Sequence, residues 1–411
     1  MKPSSPQFRA TYRLQLRKTF PFKAASAVTP YLDEMGISHL YLSPILESSA
    51  DSNHGYDAID PTKISEERGG EKGFDLLMAQ IAKQKTMQGA ILDIVPNHVA
   101  ASLANPAWWD VLKFGEKSKF YGFFDFRARA NGDKRIVLPV LGKKLRSVLA
   151  SKELYLAKKD GELTFKYWDK HFPIDPKTVS KDLEELSPKD LKALSIRAVE
   201  SLLAKQAYAL EDWKAGSREV NYRRFFDIND LAAIRVERDE VFEWDHSKVN
   251  ELLKKYPIIH GLRVDHVDGL TDPETYLKKL ATLSPNVWVE KILGDGEKMP
   301  ESWPINGTTG YEFSNSSARL FVDLPGLQHL HSHYTRHVDR RWERFHECVY
   351  DSKREMLETH FVSELSYLVD EFHRLSASDR KDSDFSKEEL NLALVELTAS
   401  LRIYRTYAKK G

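Results

Sequence analysis

The sequence contains one cysteine, no long apolar run and no excess charge of either sign. The lone cysteine among its 411 residues, Cys348, excludes an intramolecular disulfide and a cysteine-rich zinc site. No segment reaches the apolar length of a membrane span, and residues 1–10 do not resemble a signal peptide. The 61 basic residues balance the 61 acidic residues, which argues against a surface dedicated to nucleic acid. These absences predict a cytoplasmic protein without a membrane or nucleic-acid partner.

The sequence does contain short apolar segments that end in polar residues, a pattern typical of buried parallel strands. The four clearest segments are residues 37–46, 89–98, 261–269 and 286–293. Apolar residues at helical spacing predict helices over 24–35 and 73–85, and strands that alternate with helices indicate a parallel α/β sheet. Residues 100–221 are too many for one crossover helix, so we predict that they form a mostly helical insertion.

Three carboxylates lie near the ends of these predicted strands: Asp93, Asp265 and Glu290. Any one of them alone could be a structural ion pair, because a buried carboxylate needs a partner. Three on parallel strands are different, because the strand ends of a (β/α)8 barrel converge on one site. Arg263 lies two positions before Asp265 and therefore on the same face of its strand. Its charge there is expected to favour the ionised carboxylate that a nucleophile requires.

This arrangement predicts glycosyl transfer. Two carboxyl groups about 5–5.5 Å apart would act with retention, with Asp265 as the nucleophile and Glu290 as the general acid. A separation of about 9 Å would indicate inversion instead. The sequence gives no distance, so retention is a hypothesis.

The same residues lie in motifs that resemble the signature regions of the alpha-amylase superfamily of glycoside hydrolases. The motifs are DIVPNH at 93–98, GLRVDH at 261–266, VEK at 289–291 and HGYD at 54–57. The resemblance implies a (β/α)8 barrel in which Asp265 is the nucleophile, Glu290 the general acid/base and Arg263 the residue that orients the nucleophile. It also implies a set of substrate-binding residues: His54, Tyr56, Asp93, Asn97, His98 and His266.

Further blocks are similar to those of one family within this superfamily, the maltooligosyltrehalose synthases. The blocks are ATYRLQL at 10–16, HLYLSPIL at 39–46, NYRRFFDINDL at 221–231, GTTGY at 307–311 and IYRTY at 403–407. This similarity implies intramolecular transglucosylation, which converts the reducing-end α-1,4 bond of a maltooligosaccharide into an α,α-1,1 bond without a metal or organic cofactor. Two alternatives are an α-1,4-glucan hydrolase or 4-α-glucanotransferase, and an inactive glucan-binding or decayed fragment.

One departure from the superfamily pattern concerns a third catalytic carboxylate, which normally stands in a His-Asp pair on the seventh strand. The sequence contains no His-Asp dipeptide, and nothing after Gly310 is typical of two further βα units. We therefore expect an incomplete barrel without strands 7 and 8. Its segments are predicted at 1–99 and 222–322, with the insertion at 100–221 and a helical subdomain at 323–411. The chain alone is expected to be inactive, and a complementary C-terminal polypeptide is a candidate partner.

A cluster of histidines stands apart from these motifs. It consists of His329, His331, His333 and His337, three of them at a spacing of four residues. No cysteine or His-Glu metalloprotease motif accompanies the cluster, so we predict an exposed helix surface and no metal site.

Overall fold

Parallel strands and the helices between them form the framework of this computed structural model, which describes residues 6–129, 132–294, 296–338, 345–378 and 384–408. The strands are β1 (Thr11–Leu14), β2 (His39–Leu42), β3 (Leu46–Ser48), β4 (Ala58–Ile64), β5 (Gly89–Ile94), β6 (His98–Ala100), β7 (Ile136–Leu141), β8 (Leu154–Lys159), β9 (Glu162–Tyr167), β10 (Lys170–Pro173), β11 (Tyr208–Asp212), β12 (Arg224–Phe225), β13 (Ile228–Ala233), β14 (Ile259–Val264), β15 (Val287–Val289) and β16 (Gly307–Thr308). The helices are α1 (Phe22–Glu34), α2 (Gly70–Ala82), α3 (Pro106–Phe114), α4 (Leu145–Ala150), α5 (Lys181–Glu185), α6 (Pro188–Ala193), α7 (Ile196–Leu203), α8 (Gly216–Glu219), α9 (Asp239–Lys255), α10 (Pro273–Leu280), α11 (Tyr311–Arg319), α12 (Leu324–His337), α13 (Phe345–Thr359), α14 (Val362–Ser378) and α15 (Lys387–Ser400).

Six strands form a parallel sheet in the order β1-β2-β5-β14-β15-β16, which is also their order along the chain. One of the two central strands, β5, has the sequence GAILDI and is buried at all six positions, as expected for a parallel strand covered on both faces. The helices α1 and α2 pack together through Phe22 and Phe74, whose ring centroids are 5.4 Å apart. The predicted parallel sheet and the α/β fold of TIM type are therefore confirmed.

The long segment between β5 and β14 contains more sheet than the sequence pattern indicated. Strands β8, β9 and β10 form an antiparallel sheet in the order β10-β9-β8. Its buried positions include Leu154, Leu156 and Phe165. The prediction of a mostly helical insertion is therefore wrong for this part of the segment. The strand was missed because exposed charged residues such as Lys158 and Lys159 obscure the alternation of apolar residues in β8.

Helix α9 precedes β14 and packs against β4. Asp239 and Glu240 lie in its first turn and Lys254 and Lys255 in its last, an arrangement that complements the helix dipole. The buried face of α9 combines apolar residues with two polar ones: Val241, Phe242, Asp245, His246, Val249 and Leu252. Three residues of this face, Asp245, His246 and Val249, line a small cavity together with Asp93 and Ile94 of β5.

The chain divides into two compact units. The first contains Met1–Phe126, Arg146–Ala209 and Tyr222–Thr309, including all six strands of the parallel sheet. The second contains Arg127–Leu145, Leu210–Asn221 and Gly310–Gly411, and the helices α13, α14 and α15 form a small core in it. The buried residues of this small core are Leu365, Val369 and Val395. Within the described ranges, no helix is long and apolar enough to cross a membrane.

The histidine cluster lies on α12 in the second unit. All four histidines are exposed, and the rings of His333 and His337 are 4.4 Å apart. Among the residues that the structure describes, no group of three or more potential metal ligands is present. The predicted exposed helix surface is therefore observed.

Candidate active site

The C-terminal ends of three neighbouring strands bring the predicted charged residues together. Asp93 lies in β5 and Arg263 in β14, while Asp265 and Glu290 directly follow β14 and β15. Arg263 is the register partner of Asp93 in the parallel ladder. The side chains of Arg263 and Asp265 project from the same face, as the two-residue period of a strand predicts.

One guanidinium lies between all three carboxylates. Nη1 of Arg263 donates to Oδ1 of Asp93 and to Oδ1 of Asp265, each at 2.7 Å. Nη2 of Arg263 lies 3.1 Å from Oε1 of Glu290. The side chain of Asp265 is 9% exposed and that of Glu290 is 26% exposed. Glu290 is thus the most accessible carboxylate of the cluster.

Asp93 accepts the largest number of hydrogen bonds in the cluster. Its Oδ2 accepts from the hydroxyl of Tyr56 at 2.6 Å and from the hydroxyl of Tyr41 at 2.9 Å. Burial raises the pKa of both tyrosines, so both hydroxyls remain protonated donors at neutral pH. Arg13 donates to Oη of Tyr56 at 3.0 Å, which directs the tyrosine proton towards Asp93.

Burial opposes ionisation of these carboxylates. It raises the pKa of Asp265 to about 8, although contact with Arg263 acts in the opposite direction. Burial also raises the pKa of Asp93. Arg263 thus favours the ionised form of Asp265, as predicted, while burial and the neighbouring carboxylates oppose it.

The predicted sugar-binding residues form a connected layer beside the cluster. Nε2 of His98 lies 3.0 Å from the carbonyl oxygen of Tyr56, and its Nδ1 lies 3.3 Å from Nδ2 of Asn97. Burial lowers the pKa of His98 to about 3, so the ring is neutral and has one donor and one acceptor nitrogen. The backbone N–H of His266 donates to Oε2 of Glu290 at 3.0 Å, which holds the acid in place.

His54 is the most exposed of the predicted site residues, with a side chain that is 52% exposed. Its ring stacks on Tyr56 with centroids 6.0 Å apart, and its Nδ1 accepts from the backbone N–H of Tyr56 at 3.1 Å. The structure therefore brings all nine predicted site residues into one connected group.

Tight backbone geometry supports this layer. His266 has φ of 44°, a left-handed conformation that is uncommon for residues other than glycine and turns the chain sharply after β14. Gly269 follows in the next turn, where a Cβ would clash with the side chain of Asn97. The loop after β14 can therefore approach the loop after β5 only because residue 269 has no side chain.

An arginine that we did not predict holds these two loops together. Nη1 of Arg223 donates to Oδ1 of Asn97 at 3.2 Å and to the carbonyl oxygen of Gly269 at 3.0 Å, while its Nε donates to Asp125 at 3.0 Å. Two residues further on, Phe225 packs against the ring of His98 at 4.3 Å. The available signal was the block at 221–231, which contains both residues.

Tyr41 and Arg13 were also missed by the sequence analysis. Both lie within the blocks at 39–46 and 10–16, but no single-residue pattern distinguishes them from other strand residues. Lys291 is a third residue that the sequence analysis did not single out. Its side chain is 1% exposed, and its Nζ lies 3.2 Å from Asp268 and 2.9 Å from Glu297. It ties the chain after Glu290 to the turn after β14.

The profile of the alpha amylase catalytic domain matches residues 26–140. A putative maltooligosyl trehalose synthase of Mycobacterium tuberculosis is 38% identical over 327 residues, which are 77% of this chain and 39% of that protein. The structure of maltooligosyltrehalose synthase from Arthrobacter ramosus superposes with a TM-score of 0.80 at 35% identity, over 97% of this chain and 48% of that one. The chain is homologous to the maltooligosyltrehalose synthases.

Other relatives agree with this homology. The DSM5389 glycosyltrehalose synthase superposes with a TM-score of 0.83 at 35% identity, over 97% of this chain and 51% of that one. The intracellular maltogenic amylase of Bacillus subtilis is 33% identical over 148 residues, which are 35% of this chain and 23% of that protein. The chain spans about two fifths to one half of the length of the maltooligosyltrehalose synthases it matches. The predicted resemblance to this family is confirmed.

Proposed function

We propose that the chain supplies the active-site carboxylates for intramolecular transglucosylation of the maltooligosyltrehalose synthase type. The substrate would be a maltooligosaccharide, whose reducing-end α-1,4 bond becomes an α,α-1,1 bond. The observation that best supports the proposal is the cluster in which the Arg263 guanidinium contacts Asp93, Asp265 and Glu290 at distances of 2.7, 2.7 and 3.1 Å. Homology to the maltooligosyltrehalose synthases supports the same reaction.

In this proposal Asp265 and Glu290 act in sequence. The carboxylate of Asp265 attacks the anomeric carbon, the α-1,4 bond to the reducing-end glucose breaks, and Glu290 in its protonated form gives its proton to the departing glucose oxygen. The products of this step are a covalent glycosyl-enzyme and a free glucose. The 1-hydroxyl of that glucose then attacks the same carbon, Glu290 takes up its proton, and Asp265 is released, with net retention of configuration.

The remaining predicted residues would bind the sugar at the cleaved bond. Tyr56 and His54 form an aromatic surface suited to the apolar face of a pyranose. The family resemblance assigns His98, Asn97 and His266 to the same subsite, although both ring nitrogens of His98 already contact Tyr56 and Asn97 in this structure. Arg263 would orient Asp265, and Asp93 would hold Arg263 and the Tyr56 hydroxyl.

A third carboxylate and two further strands would complete this site in our proposal. The outer strands of the described sheet, β1 and β16, border a cavity of about 310 Å³ lined by Tyr41, Arg263 and Trp288. A strand edge has unpaired backbone groups that accept further strands. We infer that further strands could pair with these edges and carry the third carboxylate.

Product analysis with maltopentaose tests the function. The chain would be incubated alone and with a polypeptide carrying such further strands, and the products would be separated by anion-exchange chromatography. We expect a non-reducing, trehalose-capped product only in the mixture. New reducing ends would instead indicate a hydrolase, and redistributed chain lengths a 4-α-glucanotransferase.

Matched variants make the result specific to the cluster. Asp265→Asn and Glu290→Gln should each abolish the product, whereas Glu301→Gln, at an exposed carboxylate of the same unit, should not. Binding of maltopentaose without turnover in either preparation would favour an inactive glucan-binding protein.

A further inference from the structure

Lys291 is a buried cation that directly follows Glu290 in the chain. Its side chain is 1% exposed, and its Nζ lies 3.2 Å from Oδ2 of Asp268 and 2.9 Å from Oε1 of Glu297. A buried lysine is costly unless carboxylates lie beside it, because its ammonium group is strongly hydrated in water. The two carboxylates compensate for this cost and fix the position of the ammonium group.

Asp268 belongs to the sharp turn after β14, which also contains His266. The backbone N–H of His266 donates to Oε2 of Glu290 at 3.0 Å. Two cross-links therefore join the same two segments, one from the His266 amide to Glu290 and one from Lys291 to Asp268. The linked residues are two positions apart on one segment and adjacent on the other. The cross-links thus close a small ring, and contacts within one such network are coupled.

The backbone of His266 needs this support. Its φ of 44° lies in the left-handed region, which is unfavourable for a residue with a side chain and persists only where the surrounding structure enforces it. If this angle relaxed, the segment that follows His266 would have to move relative to Glu290, and Asp268 would move with it. The ion pair between Lys291 and Asp268 opposes that movement.

Arg223 holds the same turn by a different contact. Its Nη1 donates to the carbonyl oxygen of Gly269 at 3.0 Å and to Oδ1 of Asn97 at 3.2 Å, so it ties the turn to the loop after β5. Lys291 instead ties the turn to the segment that carries Glu290. The contact of Lys291, rather than that of Arg223, therefore sets the distance between the turn and the Glu290 carboxylate.

We propose that Lys291 is a positioning residue for Glu290: its ion pair with Asp268 holds the turn after β14 so that the His266 amide donates to Oε2 of Glu290. The other oxygen, Oε1, lies 3.1 Å from Nη2 of Arg263, so both carboxylate oxygens of Glu290 face a donor. A group that transfers a proton must be held within hydrogen-bond reach of its target. The value of this positioning for catalysis rests on the proposed function, whereas the contact itself requires only the folded first unit.

Nuclear magnetic resonance of the whole chain, labelled with nitrogen-15 histidine, tests this role. The amide resonance of His266 can be assigned by its loss in His266→Asn, because asparagine tolerates the left-handed conformation. Glu290→Gln should displace this resonance in the wild-type background, since the amide then donates to a neutral acceptor. The displacement should be largely lost in the Lys291→Met background and should return in Lys291→Arg, which restores the cation. Lys298→Met, at an exposed lysine nearby in the chain, is the matched control and should show the full displacement.

A displacement as large in Lys291→Met as in the wild-type background would overturn the proposal. Two further variants decide the question if Lys291→Met does not fold. Asp268→Ala should largely abolish the displacement, whereas Glu297→Ala, which removes the other carboxylate beside Lys291, should retain it. Equal behaviour of these two variants would mean that Lys291 contributes to stability alone, and would overturn the proposal as well. Each measurement reports a contact in the folded chain, so a failure of glucan conversion would contradict the proposed function and not the role of Lys291.

Discussion

Arg263 and Asp93 are register partners on adjacent parallel strands, and Nη1 of the arginine donates a 2.7 Å hydrogen bond to the aspartate. They are 170 residues apart in the sequence. The same nitrogen donates to Asp265, so one buried cation serves two buried acids. The stability of the site and its protonation therefore depend on the same side chain, which makes it the natural first target for mutagenesis.

Replacing Arg263 should strongly destabilise the first unit. Arg263→Met leaves Asp93 and Asp265 buried without their cation, and breaking a buried ion pair in this way costs about 3–5 kcal/mol. Urea unfolding at pH 7 measures the loss. Arg17→Met, at an exposed arginine of the same unit, should change the free energy of unfolding by no more than about 0.5 kcal/mol. Equal effects of the two variants would contradict the described cluster.

Tyr41 should prove important although no motif singled it out. Tyr41→Phe removes a hydrogen bond to the buried carboxyl of Asp93, and such bonds to a charged group contribute about 1.5–3 kcal/mol. Because Tyr56 donates to the same oxygen, the double variant with Tyr56→Phe should lose more than the sum of the single variants. Tyr31→Phe, at a tyrosine that is 63% exposed, is the control for loss of a hydroxyl. Additive losses in thermal unfolding would show that the two hydroxyls act independently.

The stability of the protein should depend on pH through Asp265. Its pKa is raised by burial to about 8 in the folded protein, against about 3.9 in the unfolded chain. Between these two pKa values the folded state binds more protons at Asp265 than the unfolded chain does. The contribution of Asp265 to the free energy of unfolding is therefore complete below pH 4 and is lost as the pH rises towards 8. Asp265→Asn cannot ionise, so it should be more stable relative to wild type at pH 8 than at pH 5.

The size of this effect can be bounded and checked. One proton corresponds to at most about 1.4 kcal/mol for each pH unit. Guanidinium unfolding of both proteins at pH 5, 6, 7 and 8 gives the difference directly. A difference that stays constant across this range would mean that Asp265 ionises normally.

Gly269 should tolerate no side chain. In Gly269→Ala the new Cβ meets the side chain of Asn97, so either the loop after β14 or Asn97 must move, at a cost of about 1–3 kcal/mol. Gly294→Ala is the matched control, because a Cβ there meets only Oε2 of Glu297 at an ordinary 3.6 Å. The two variants are compared by thermal unfolding and by the side-chain amide resonances of Asn97. Unchanged Asn97 resonances in Gly269→Ala would contradict the close approach.

The outcome of the sequence predictions differs between local and distant relationships. The two-residue period of a strand correctly placed Arg263 and Asp265 on one face, because that relationship involves one short segment. The helices near 24–35 and 73–85 were also found, as α1 and α2, from their apolar spacing. The contact of Tyr41 with Asp93 was not found, because it joins two strands whose register no local pattern specifies. The antiparallel sheet of β8, β9 and β10 was missed because its outward residues are charged.

The sequence by itself determined which charged residues lie at the strand ends and which of them share a face, because residue type and strand period are local properties. It also determined the homology, because whole blocks of residues are shared. Only the tertiary structure decided that one guanidinium serves Asp93, Asp265 and Glu290. It also decided that burial raises the pKa of Asp265 against the effect of this cation. Both depend on distances between strands and on the exclusion of water, which arise only when the strands assemble into a sheet.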